Sequence, residues 1–235
     1  MNPNYSKMLE KEIETLSETG TKPKLLLHSC CAPCSSYVME YLREYFRITV
    51  FYYNPNITDN KEYLYRLKEE KRLIEAYNRQ VEEQDFDRMH STANAERIGI
   101  LEAPYDPDNY LEAVKGYEDC PEGGDRCGIC FELRLKKTAE TARRGGFDCF
   151  TTTLTISPLK NAARLNEIGE KTGAEYGVKF LPSDFKKKNG FKRSIELSGM
   201  FELYRQNYCG CAFSKKEARD REARKSAGNT AKSIS

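Results

Sequence analysis

Seven of the nine cysteines in this chain fall into three short groups: Cys30-Cys31-Ala32-Pro33-Cys34, Cys127-Gly128-Ile129-Cys130 and Cys209-Gly210-Cys211. The first 20 residues are polar and charged, without the apolar core of a signal peptide, and no run of about 18 apolar residues marks a membrane span. A cytoplasmic protein is therefore expected, in a reducing compartment where grouped thiols serve more often as metal ligands or redox catalysts than as structural staples. One pair from each of the first two groups would supply four thiolates, the number used by cubane iron-sulfur clusters and by structural zinc alike. The first group holds three thiols in five residues, one more than such a site needs, which points to chemistry and leaves Cys34 to bind a second metal or face substrate. Cys30 and Cys31 can ligate one centre only if the chain turns between them, because neighbours in a strand project to opposite sides. The Cys209-Gly210-Cys211 spacing is too tight for a disulfide that constrains a fold, and a ring so strained is easily reduced. It reads as a redox-active pair, with two extra metal ligands or two free thiols as the alternatives. Cys149 lies in an apolar run and reads as a core residue, and Cys120 is either a spare ligand or an inert loop thiol.

The elements that must position these groups alternate in type. Lys24–Ser29 reads as a buried parallel strand, followed at once by the first cysteine group and by Pro33 where a helix would begin. Ile48–Tyr53 is a second strand, stopped by Asn54-Pro55-Asn56, and a charged helix follows over about 60–78. A weaker strand is expected at Gln80–Glu83 and a helix at Tyr110–Tyr117. The second cysteine group opens a helix that Gly145-Gly146 ends near Arg144. Asp148–Leu154 is the next strand, with Ser157-Pro158 as cap and first turn of a helix reaching about Thr172. A strand at Val178–Leu181 and helices at Ser194–Gln206 and Ser214–Lys225 complete the pattern, after an N-terminal helix at Met8–Leu16. The expectation is one α/β catalytic domain over 1–226, a parallel sheet flanked by helices with a C-terminal helical extension, and a polar, disordered tail over 227–235. Ligands of such sheets bind beyond the carboxyl ends of the strands, where the first cysteine group falls, and both early groups sit at helix starts, which lower thiol pKa.

The net charge of +2 favours neither nucleic acid nor membrane, but Asp184–Lys225 carries twelve Lys/Arg against six Asp/Glu and is locally basic. Lys160, Lys186, Lys187, Lys188, Lys192, Arg193 and Arg205 are candidate phosphate partners, and Tyr204 and Tyr208 candidate stacking residues. His28, at a strand end, reads as a packed, hydrogen-bonded residue before it reads as a proton donor.

Leu25–Ser35, Asn54–Ile57, Arg126–Phe131, Thr153–Pro158 and Tyr204–Cys211 together resemble the epoxyqueuosine reductases of the QueH type, a likeness spanning about Leu25 to Ser214. The resemblance implies a fold similar to the adenine-nucleotide α-hydrolase (PP-loop/HUP) architecture, with the cysteine turn in place of the phosphate loop. It implies reductive removal of the epoxide oxygen from epoxyqueuosine at the wobble position of the Asp, Asn, His and Tyr tRNAs, the last step of queuosine synthesis, without cobalamin and with an external electron donor. By the same resemblance Cys30, Cys31, Cys127 and Cys130 hold a [4Fe-4S] cluster, Cys209 and Cys211 form a redox-active disulfide, and Cys34 is the candidate ligand of an additional iron. Two other readings are an iron-sulfur-dependent tRNA sulfur-transfer or desulfuration enzyme and a zinc module that binds RNA. Cysteine where a nucleotide-using sulfurtransferase keeps its Gly-rich loop argues against ATP use.

Overall fold

The computed structural model describes residues 3–90 and 94–232, with side chains as far as 224. Five strands, β1 (Lys24–Ser29), β2 (Arg47–Tyr52), β3 (Gly99–Glu102), β4 (Cys149–Thr152) and β5 (Lys179–Phe180), form one sheet in the order β3-β2-β1-β4-β5. Every pairing is parallel: Leu27 lies beside Val50 on one side and Thr151 on the other. An all-parallel sheet must be covered on both faces, and the apolar run Leu25-Leu26-Leu27 meets that demand by sending alternate side chains each way. Leu25 and Leu27 pack with Leu9 and Ile13 of α1 (Tyr5–Thr19), Val38 and Leu42 of α2 (Ala32–Leu42) and Leu73 and Tyr77 of α3 (Asn60–Glu83). On the opposite face Leu26 packs with Phe150, with Phe131 and Leu135 of α5 (Asp125–Arg144) and with Leu165 of α6 (Ala162–Tyr176). A short helix, α4 (Pro107–Ala113), precedes α5, and α7 (Gly190–Met200) and α8 (Ala212–Lys232) follow the sheet as the C-terminal helical extension.

The strand order reverses between β1 and β4, so the chain leaves these two neighbours in opposite directions and opens a crevice at their carboxyl ends. The first cysteine group occupies the turn from β1 into α2 at that crevice. Beside it, β4 runs into a 3-10 turn, Thr153–Ile156, that replaces the last residues of the expected strand.

Several expectations are corrected. Gln80–Glu83 forms the last turn of α3, closed by Gln84 in the left-handed conformation; Val81 is its one apolar residue, too little to build a strand. The edge strand is Gly99–Glu102, whose half-exposed Ile100 and Leu101 leave a weak hydrophobic signal. Ser157-Pro158 does not start a helix. Asn161 is the cap of α6, its side chain accepting from Arg164 N at 3.2 Å, and Ser157–Lys160 stays as a loop over the crevice. Helix α7 begins at Gly190 and ends at Met200, leaving 201–211 as an irregular loop that bonds Arg66 and Arg72 of α3. Helix α8 runs to Lys232, past Lys225, and 233–235 of the expected tail lie outside the described residues. Cys149 is buried in the sheet core, as its apolar neighbours imply.

Candidate metal-thiolate site

A bend at Cys30 and an extended Cys31 (φ −178°, ψ 154°) that caps α2 turn the chain between the two residues. Their sulfurs come to 3.7 Å of each other, and the Cys34 sulfur joins them within 4.8 Å. This triad can hold a metal ion; among the described residues it is the only group of three or more ligating side chains so close. Gln206 donates to Cys31 Sγ at 2.8 Å while its own Oε1 is buried without a partner. Cys127 and Cys130 do not enter this group. They line a small second cavity of about 30 Å³ with Cys209 and Cys211. The first cavity, about 260 Å³, is walled by Cys30, Cys34, Arg66, Arg205, Tyr208 and Cys209 among others. Lys160, Leu159, Glu122 and Cys209 belong to both walls, so the two cavities adjoin.

Each sulfur group sits at a helix N-terminus. Cys31 caps α2, Cys127 lies in the first turn of α5 and accepts from Gly123 N at 3.2 Å, and Cys211 Sγ accepts from Ser214 N at 3.3 Å at the start of α8. The sequence signalled the last placement through the helix expected from Ser214, which begins two residues earlier, at Ala212. Two glycines permit these turns. Gly210 has φ +122°, and a Cβ there would lie 2.8 Å from Ile57. At Gly128 a Cβ would overlap the guanidinium of Arg164, which instead donates to Gly124 O and Asp125 at the mouth of α5.

The thiols differ in acidity. Hydrogen bonds from Cys31 and Cys34, supported by Lys160 and Arg134, hold the Cys30 thiol well below its ordinary value despite burial. Donating to Cys30 in turn pushes Cys31 up to about 12 and Cys34 well above the ordinary thiol value. Burial raises Cys127 and takes Cys130 up to about 12, so at α5 the loss of water outweighs the helix N-terminus, contrary to the sequence expectation. A soft cation would reverse that balance, because thiolate ligands are deprotonated by the metal itself.

Two cations face the thiols. Burial works against the Lys160 ammonium, yet its cysteine neighbours Cys209, Cys30 and Cys34 hold its pKa above the ordinary value. Arg134, wholly buried on α5, donates to Asn54 Oδ1 and Asn56 Oδ1 at 3.2 and 2.9 Å. Asn54 is fixed in turn by its bond to Ser29 O at 2.8 Å, so the Asn54-Pro55-Asn56 motif ties the end of β2 to both β1 and α5. Arg66, also buried, donates to the carbonyls of Cys209 (3.1 Å) and Tyr208 (3.5 Å) and to Glu62, pinning the Cys209–Cys211 loop to α3. Arg134, Arg66 and Gln206 carry no metal-ligand or catalytic signature, and sequence reasoning missed their roles. A four-residue spacing from Cys130 to Arg134, one helical turn, was the available clue.

His28 is fully buried between Thr152 Oγ1 (2.9 Å) and Tyr53 O (3.1 Å), and burial drops its pKa to about 3, so it is a neutral structural residue. Tyr208 lines the first cavity beneath the Arg66 guanidinium, whereas Tyr204 bonds Glu62 and packs on Tyr65. Of the candidate phosphate partners, Arg193 is sequestered by Glu40 at 2.7 Å, Lys186 pairs with Asp184 and Lys188 with Glu10, while Lys160 and Arg205 reach the cavity. All nine cysteines are free thiols.

An open parallel α/β sheet with a thiol triad at its topological switch point, adjoining a second thiol group and buried cations, defines a class of α/β proteins equipped to bind a metal through sulfur. The family model described as epoxyqueuosine reductase QueH matches residues 25–217. Curated relatives include the epoxyqueuosine reductase QueH of Staphylococcus aureus, 43% identical over 90% of this chain and 83% of its own length. Those of Streptococcus pyogenes (40% identical; 92% and 81% coverage) and Thermotoga maritima (35%; 85% and 94%) carry the same name. The chain belongs to the QueH family.

Proposed function

We propose that this chain reduces epoxyqueuosine to queuosine in tRNA, acting in the cytoplasm on the wobble nucleotide of the Asp, Asn, His and Tyr tRNAs. The observation that carries this reading is the adjacency of three cysteine groups, each at a helix N-terminus, around one pair of adjoining cavities in a chain of this family. The order β3-β2-β1-β4-β5 with a functional turn after β1 supports kinship with the adenine-nucleotide α-hydrolase architecture. Residues 1–226 act as one catalytic unit.

The residues fit an iron-sulfur centre by their own chemistry. The donors are soft thiols, the flanking side chains are cationic, and Arg134 Nε and Nη2 are buried without acceptors, as expected beside an anionic group. Cys30, Cys31, Cys127 and Cys130 would hold a [4Fe-4S] cluster and Cys34 an additional iron. Bound there, the centre would supply single electrons and a Lewis-acidic iron for epoxide oxygen. The overall change consumes two electrons and two protons and releases the oxygen as water. Cys209 and Cys211, oxidised from dithiol to disulfide, would give up those two electrons and two protons, and an external reductant would restore the dithiol. Arg66 keeps their loop in place. Tyr208 and Lys160 line the space for an unstacked base, which must leave the anticodon stack for its side group to react.

The test is anaerobic incubation with epoxyqueuosine-containing tRNA and a low-potential reductant, followed by nucleoside mass analysis. Loss of one oxygen mass is expected; replacement of oxygen by sulfur would instead establish sulfur transfer.

A further inference from the structure

Among the described residues of the site, Arg134 is the one buried guanidinium with unspent hydrogen-bonding capacity and no carboxylate beside it. Its side chain is wholly buried, and both Nη1 hydrogens are taken by Asn54 and Asn56. Nε and Nη2 have no acceptor, which leaves three N–H groups pointing into protein interior. No salt bridge to Arg134 exists among the described residues, in contrast to Arg66 and Arg193, which pair with Glu62 and Glu40. The side chains it senses from the site are Cys130, Cys209 and Cys30, drawn from all three sulfur groups. A buried, unpaired guanidinium is costly, and proteins keep one only where an anion completes it. The missing acceptor must be anionic, must offer several lone pairs and must lie among the thiols.

We propose that Arg134 is a positioning residue that donates its free N–H groups to the thiolate-bound metal centre and so raises the reduction potential of that centre. The inference rests on the iron-sulfur reading above. Asn54 and Asn56 aim the guanidinium: by occupying Nη1 they turn the Nε–Nη2 edge away from β2. A planar cation with this edge free suits a centre whose charge becomes more negative on reduction, because the stabilisation grows with the charge. Lysine could supply the charge but not the fork.

The experiment uses the full chain, purified and reconstituted anaerobically, as wild type, Arg134→Met and Arg134→Lys. Iron and sulfide content, a spectroelectrochemical titration, and thermal unfolding with and without metal are read in parallel. In Arg134→Met the centre should be at least tenfold harder to reduce at a fixed potential, a shift of about 59 mV for one electron. Its melting temperature should fall further in the loaded protein than in the metal-free protein, where loss of the bonds to Asn54 and Asn56 is offset by removal of an uncompensated charge. Arg134→Lys should lie between Met and wild type in potential. A loaded Arg134→Met with wild-type potential, or one that loses as much stability without metal as with it, overturns the proposal. If Arg134→Met takes up no metal, a loaded Arg134→Lys supports the need for charge, and equal failure of both overturns it. Wild-type protein that binds neither iron nor sulfide removes the functional reading along with this inference, whereas a loaded wild type with an indifferent Arg134 removes this inference alone.

Discussion

Glu70 lies on α3 with its carboxyl wholly buried and neither oxygen hydrogen-bonded, facing Ser35 and Ser29 on the two sides of the cysteine turn. Burial raises its pKa from about 4.5 to about 7, opposed by those hydroxyls and reinforced by the charge of Cys30. The phenols of Tyr52 and Tyr77 also sense it. In the unfolded chain the acid ionises near its ordinary value, so between about pH 4.5 and 7 folding requires proton uptake. Stability linked to Glu70 is therefore full below pH 4.5, declines as pH rises to 7, and is lost above that. The difference corresponds to roughly 3 kcal/mol, or about 6–12 °C in melting temperature for a chain of this size. Glu70→Gln places a neutral isostere there, and its amide can donate to Ser29 Oγ, which lacks a partner. Anaerobic melts from pH 4.5 to 8 should show a declining profile for wild type and a flatter one for the variant, with the variant gaining ground at alkaline pH. Parallel profiles for the two proteins would refute the burial of an uncharged carboxyl at this position.

The remaining expectations concern the sulfur groups. Cys127→Ala loses one hydrogen bond from Gly123 N and should cost only about 1 kcal/mol in folding while abolishing cluster assembly; full iron and sulfide content in the anaerobic variant would remove Cys127 from the ligand set. Cys211→Ser keeps an acceptor at the start of α8 for Ser214 N, so the fold and colour should survive while multiple turnover stops. Unimpaired turnover with a thiol-based donor would end the relay assignment. Gly210→Ala forces a Cβ to 2.8 Å from Ile57 in a backbone conformation that other residues rarely adopt, and should lower stability by about 1–3 kcal/mol. A melting temperature equal to wild type would show that the loop adapts without strain.

Legibility from the sequence followed the strength of local signals. The strand Lys24–Ser29 is found residue for residue as expected, because a run of branched apolar side chains between breakers fits little else. The edge strand was misplaced because its side chains are half exposed, and edge strands carry the faintest hydrophobic pattern. At Ser157-Pro158 a sound local cap signature lost to the tertiary need for a loop across the crevice. His28 was read correctly as a packed residue since its place at the end of a buried strand already implied it.

Residue type and spacing by themselves determined the chemistry available here: soft ligands in three groups, an alternating α/β pattern and the family signature. What the tertiary structure alone decided is which of those sulfurs meet and what charge surrounds them. Cys30, Cys31 and Cys34 converge through a turn within one segment, but their relation to Cys127, Cys130, Cys209 and Cys211 depends on strand order, which no local pattern encodes. Arg134 shows the same limit in electrostatics, since a charged side chain on a helix reads as solvated until the packing of α5 against the sheet takes its water away.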